Sequence, residues 1–193
     1  ILRTGGAGRR AVHRALEEVF GAPVPDGHEF DGKTDPQIVR ELMRRAGLEH
    51  RDIDDRLEQA LERYVELLHL ELARLDRADG ILPGVLSLLA VLESRSDVLL
   101  GLLTGNVHAG AMAKLSAVGI RPERFRVGAF GSDHADRPEL PAIARGRASE
   151  LLRREIPGYD VVVIGDTPAD MSCGRGIGAR SIGVATGRYS VDE

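Results

Sequence analysis

Three short stretches of this chain combine residue types that can act on an anion. Thr104-Gly105-Asn106 follows the apolar run Val98–Leu103. A hydroxyl at a strand end, then a glycine, then an asparagine able to cap the next helix, gathers an O–H and free backbone N–H groups at one point. That is the make-up of an anion site. The same residues would equally serve a plain strand–turn–helix connection with Asn106 as its cap. Asp166 and Asp170 follow a second apolar run, Val161–Ile164. Acids four positions apart share one side of a helical turn, and converging carboxylates repel unless a cation lies between them. Mg²⁺ takes oxygen ligands and suits such a pair. Alternatively, Asp166 or Thr167 caps the helix and Asp170 favours its dipole. Arg137, in Asp133-His134-Ala135-Asp136-Arg137-Pro138-Glu139, could neutralise a phosphoryl group or be a solvated loop cation.

Other chemistries find less support. Gly5-Gly6-Ala7-Gly8 lacks the Gly-Lys-Ser/Thr of a phosphate-binding P-loop. The six histidines are dispersed, without metal-ligand spacing or a Ser/His/Asp arrangement. Cys173, the one cysteine, has no internal partner and fits a reducing cytoplasm.

The elements that must position these residues change character along the chain. The first half reads as helices, over 9–20, 36–46 and 52–76, the last with Leu57, Leu61, Tyr64, Val65, Leu68, Leu72 and Leu75 on one stripe. A polar loop from Pro25 to Asp35 holds Gly32-Lys33-Thr34. Beyond Pro83-Gly84, helices over 84–94, 107–118, 139–154 and about 168–176 alternate with apolar runs. The continuous apolar runs are 98–103 and 161–164, with a weaker strand at 125–130 and a last strand at 181–185. Continuous apolar runs predict strands buried on both faces, and their alternation with helices predicts a parallel sheet in an α/β fold. The expected division is a discontinuous α/β core, residues 1–9 and 83–193, with an inserted all-helical domain over 10–82.

Composition narrows the function classes. A net charge of −4, with 26 basic residues of which only Lys33 and Lys114 are lysines, gives no basic patch for nucleic acid. No apolar run reaches the ~20 residues of a membrane span. The expected compartment is the cytoplasm, and the expected assembly a monomer or homodimer.

In order along the chain, these motifs resemble the haloacid dehalogenase superfamily, in its phosphoglycolate-phosphatase-like branch. Leu103-Thr104-Gly105-Asn106 resembles the second motif. Arg137-Pro138 stands where the third has Lys-Pro. Ile164-Gly165-Asp166-Thr167-Pro168-Ala169-Asp170 resembles the fourth. Pro83-Gly84 resembles the end of that branch's helical cap, and Gly32-Lys33-Thr34-Asp35 its cap loop. The resemblance implies a Rossmann-like parallel-sheet core with an inserted helical cap. It also implies an Mg²⁺-dependent phosphohydrolase that acts on a small phosphorylated metabolite through an aspartyl-phosphate. Asp166 would bind the metal. Asp170 would orient a metal-bound water or the cation at Arg137. Thr104, Gly105 and Asn106 would hold phosphoryl oxygens, and Lys33 would reach the substrate from the cap. The family's Asp-x-Asp-Gly-Thr motif, with the attacking aspartate, is not in the sequence, and about a dozen residues are expected before Ile1. A phosphomutase, a dehalogenase, or a non-catalytic domain of the same fold are the alternatives.

Overall fold

The computed structural model describes residues 2–74, 80–186 and 189–190. Ile1, and the Leu75 and Asp76 that end the expected third helix, lie outside the described residues. Helix α1 (Ala7–Phe20) buries Ala7, Ala11, Val12, Ala15, Leu16 and Phe20, and stops at Gly21, whose φ of +67° suits glycine. Helix α2 (Asp35–Arg45) starts at Thr34, whose hydroxyl accepts from the Gln37 amide at 3.2 Å, with Pro36 in the first turn.

The single helix expected over 52–76 is instead two, α3 (His50–Asp54) and α4 (Leu57–Leu72). Tertiary docking explains the break at Asp55-Arg56. The Arg56 guanidinium stacks over the Phe20 ring at 4.9 Å and donates to the Val19 carbonyl at 3.4 Å, at the end of α1. On α4 the expected stripe buries Tyr64, Leu68 and Leu72, joined by Ala60 and Leu67. Helices α1 to α4 close one apolar core that includes Val107 from the second half of the chain.

The second half runs α5 (Val85–Glu93), β1 (Gly101–Leu103), α6 (His108–Ala117), β2 (Val127–Ala129), α7 (Leu140–Leu152), β3 (Val162–Gly165), α8 (Pro168–Cys173) and β4 (Arg180–Gly183). The pairing of these four strands is parallel, as the alternation predicts, and an isolated antiparallel bridge joins Leu2 to Ile81. Among the described residues the strands form two separate ribbons, β1 with β2 and β3 with β4. The expectation of strands buried on both faces is corrected. Leu102 and Leu103 are half-buried, and Val162 is exposed. A two-stranded ribbon offers helices too narrow a face to be sealed on both sides, although α7 packs on β2 and α8 on β3 and β4. No helix among the described residues is long and apolar enough to cross a membrane.

Candidate active site

The loops after β1 and β3 both meet the polar segment Gly32–Asp35. Gly105 is buried under it. The Asp35 amide donates to the Gly105 carbonyl at 2.7 Å, and a Cβ at Gly105 would lie 2.1 Å from the Lys33 carbonyl oxygen. Glycine is the residue that fits there. At the other end of the segment Gly32, with a φ of +76°, lies against the second loop. A Cβ on it would come within 2.6 Å of the Ala169 side chain and 3.8 Å of the Thr167 hydroxyl. One four-residue stretch therefore touches both motif-bearing loops.

Around Thr104 the hydrogen bonds differ from a simple cap. The Thr104 hydroxyl accepts from the Asn106 amide at 3.2 Å. Asn106 does not cap α6, which corrects the expectation. Its side-chain amide donates to Asp35 Oδ1 at 3.2 Å, and its Oδ1 accepts from Lys114 Nζ at 3.0 Å. The first amides of α6 are satisfied from elsewhere: Val107 N–H by Asp35 Oδ2 at 2.8 Å, His108 N–H by Ser132 Oγ at 3.2 Å. A carboxylate from the helical half thus sits at the positive end of α6. Burial raises the Asp35 carboxyl above its ordinary value, opposed by Lys114 and by the Val107 and Asn106 hydrogen bonds. Burial likewise lowers the Lys114 ammonium, with Asp35 opposing.

In the second loop Thr167 is the N-cap of α8 and Asp170 closes a capping box with it. Asp170 Oδ2 accepts from the Asp166 amide (3.1 Å), the Thr167 amide (3.1 Å) and the Thr167 hydroxyl (2.8 Å). Its Oδ1 accepts from Arg137, which a 3₁₀ turn at Arg137–Glu139 presents. Both side chains of this ion pair are largely buried, and the Arg137 Nε has no hydrogen-bond partner. Capping and cation-holding are therefore combined in Asp170, and Arg137 is not a solvated loop residue. The Asp166 carboxylate lies 3.4 Å from the Thr186 hydroxyl. Lys33, expected at a substrate, pairs with Glu41 at 2.5 Å and contacts His28 at 3.4 Å. Burial pushes the Glu41 carboxyl up, but hydrogen bonds from Lys33 and Gln37 outweigh it and hold the group below its ordinary value.

The structure thus brings Thr104, Gly105 and Asn106 under Gly32–Asp35, joins Arg137 to Asp170, and turns Lys33 toward α2. Sequence reading missed Asp35 and Lys114. A signal for Lys114 existed: it lies seven residues after Val107, on the α6 face that buries Ala111, Leu115 and Val118. A lysine on an apolar stripe needs a polar partner.

Comparison with known proteins agrees with this architecture. A family model of haloacid dehalogenase-like hydrolases matches residues 7–175. No curated protein matches the chain in sequence. Among solved structures, the chain is similar to a hydrolase from Pseudomonas syringae, with a TM-score of 0.68 and 19% identity. That match covers 96% of this chain and 80% of the other. It is also similar to a β-phosphoglucomutase from Clostridium difficile, with a TM-score of 0.67 and 18% identity over 95% and 79% of the two chains. A third similar structure, CbbY from Rhodobacter sphaeroides in complex with phosphate, gives a TM-score of 0.60 and 21% identity over 94% and 80%. At these identities the structures speak for the fold, and the family match covers most of the chain. The chain belongs to the haloacid dehalogenase-like hydrolase family.

Proposed function

We propose that this chain carries most of a phosphohydrolase acting on a small-molecule phosphate monoester, in the manner of a phosphoglycolate phosphatase. The observation that carries the reading is the convergence of the Thr104 and Asp166–Asp170 loops on Gly32–Asp35, with Arg137 locked to Asp170 beside them. The Thr104 hydroxyl binds a phosphoryl oxygen and holds charge that develops during transfer, while the Asn106 and Val107 amides of the same loop are taken by Thr104 Oγ and Asp35. Arg137 adds a fixed positive charge, with its planar fork oriented by Asp170. The Gly32–Asp35 segment that opens α2 touches both loops and, in this reading, limits their access to water. The attacking aspartate, which would form an aspartyl-phosphate, belongs in this reading to an Asp-x-Asp-Gly-Thr strand outside these 193 residues.

Mg²⁺ fits the donor chemistry, because Asp166 offers a hard carboxylate oxygen in the second loop. Among the described residues no group of three or more His, Cys, Asp or Glu could hold a metal by itself. The oxygens of Asp170 are committed to Arg137 and the capping box. This chain would therefore supply one carboxylate, Asp166, in keeping with an ion that retains waters and takes one or two carboxylates. When bound, the ion would offset charge between an attacking carboxylate and the phosphate. A buried free thiol at Cys173 supports a cytoplasmic setting.

The test is hydrolysis of p-nitrophenyl phosphate by the full-length protein, with and without Mg²⁺. Metal-dependent release of phosphate is expected. No turnover across a broad panel of phosphate esters would overturn the reading.

A further inference from the structure

Lys114 belongs to α6 and Asp35 to the start of α2, yet they share one polar chain. Lys114 Nζ donates to Asn106 Oδ1 at 3.0 Å, Asn106 Nδ2 donates to Asp35 Oδ1 at 3.2 Å, and Asp35 Oδ2 accepts from the Val107 amide at 2.8 Å. The donor at one end and the acceptor at the other fix which way the Asn106 amide faces. The surroundings leave little room for alternatives. Asp35 is 3% exposed, and a Cβ at Gly8 of α1 would lie 3.2 Å from Lys114 Nζ. The Lys114 ammonium also lies 5.9 Å from the ring centre of the buried Tyr64, on α4. The chain therefore crosses the seam between α1–α4 and the loop after β1, and Asn106 is its middle link. Asn106 also gives its backbone amide to the Thr104 hydroxyl, and its carbonyl accepts from Gly131 N–H at 2.8 Å. A rotation of its side chain toward solvent would leave both Asp35 and Lys114 without their shared partner.

We propose that Asp35 and Lys114 are positioning residues. Acting through Asn106, they hold the Thr104–Asn106 loop in its phosphoryl-binding shape, and they do so only while α1–α4 is docked. An undocked helical unit takes Asp35 away, frees the Val107 amide and releases the Asn106 side chain, so the anion site is complete only in the closed molecule. The phosphoryl part of this inference rests on the proposed phosphohydrolase activity. The coupling part does not.

The experiment measures amide hydrogen exchange residue by residue in the full-length protein and in the variants K114M and D35N, together with binding of inorganic phosphate. The Lys114 side chain makes no hydrogen bond to Val107. Positioning nonetheless predicts that K114M speeds exchange at the Val107 amide about tenfold relative to amides in the middle of α6, and weakens phosphate by a similar factor. K114R, which restores a donor toward Asn106, should recover part of both. Should K114M fail to fold, D35N carries the measurement, because it keeps the shape of the side chain and removes its charge. Faster exchange shared evenly along α6, with phosphate affinity unchanged, would mean that Lys114 only packs, and would overturn the proposal. A wild-type protein that binds no phosphate and hydrolyses no ester would sink the phosphohydrolase reading. The contrast between Val107 and mid-helix exchange would still decide the coupling.

Discussion

Replacing Asp170 by Asn separates its two duties. The Asp170 carboxylate accepts three donors on Oδ2, at 2.8–3.1 Å, and faces Arg137 with Oδ1. An asparagine keeps one acceptor oxygen for the three donors, so the capping box of α8 survives, but it turns an NH₂ group toward a guanidinium. Only 13% of the Arg137 side chain and 11% of the Asp170 side chain are exposed, so solvent cannot take over the lost pairing. Removing one partner of a buried pair costs about 3–5 kcal/mol, and the residual exposure argues for about 3. That is about 150-fold in the unfolding equilibrium. With a urea slope of about 2 kcal/mol/M, the midpoint falls by about 1.5 M. The converse variant, R137M, leaves a carboxylate that still has three donors, so its cost is about 1–2 kcal/mol. The double variant D170N/R137M should then be more stable than the two single losses added together. Urea unfolding of the four proteins closes the cycle. A D170N midpoint within about 0.3 M of wild type, or single costs that add to within about 0.3 kcal/mol, would refute the reasoning.

Three further outcomes are expected. G105A should lose about 3 kcal/mol in thermal or urea unfolding, because the new methyl meets the Lys33 carbonyl at 2.1 Å and neither backbone can move aside cheaply. The His28 imidazole is pushed below its ordinary 6.5, first by burial and then by Lys33, with Glu41 opposing. The unfolded chain then binds the proton that the folded one refuses, so stability held above pH 6.5 is lost as pH falls from there through the folded value. H28Q should flatten that slope in a pH series of unfolding midpoints, while His13, shifted the same way by burial, keeps part of it. T104V keeps the size of the side chain but removes the hydroxyl that accepts from Asn106. It should cut kcat on p-nitrophenyl phosphate by about 100-fold, while the lost hydrogen bond lowers the melting temperature by only about 2–4 °C.

The helices were legible because their signals are local. Gly21 and Gly47 end α1 and α2, Thr34 and Pro36 open α2, and Val107, Ala111, Leu115 and Val118 mark the buried face of α6. The break between α3 and α4 was not legible, because it depends on Arg56 docking onto Phe20, far away in sequence. The candidate site was half legible for the same reason. Motif spacing marked Thr104, Arg137, Asp166 and Asp170, and the capping reading of Thr167 and Asp170 proved compatible with the ion pair to Arg137. The partner that caps α6 comes instead from Asp35, 72 residues before Val107, and no periodic pattern encodes so distant a bond. The Lys33 position was marked by its loop, but the Glu41 that holds it lies on the next helix.

The scarcity of lysine has a practical consequence. The chain has two side-chain amines, Lys33 and Lys114, and each is held at the seam where Gly32–Asp35 meets the loop after β1. A reagent that acylates amines but spares guanidinium groups therefore has only these two internal targets, one on either side of the contact. Docked, the Lys114 nitrogen is held by Asn106 within the seam, whereas Lys33 keeps its partner Glu41 inside the helical half whether the halves meet or part. The rate of acylation at Lys114 relative to Lys33, read by mass spectrometry, makes the native sequence its own gauge of how often the two halves separate.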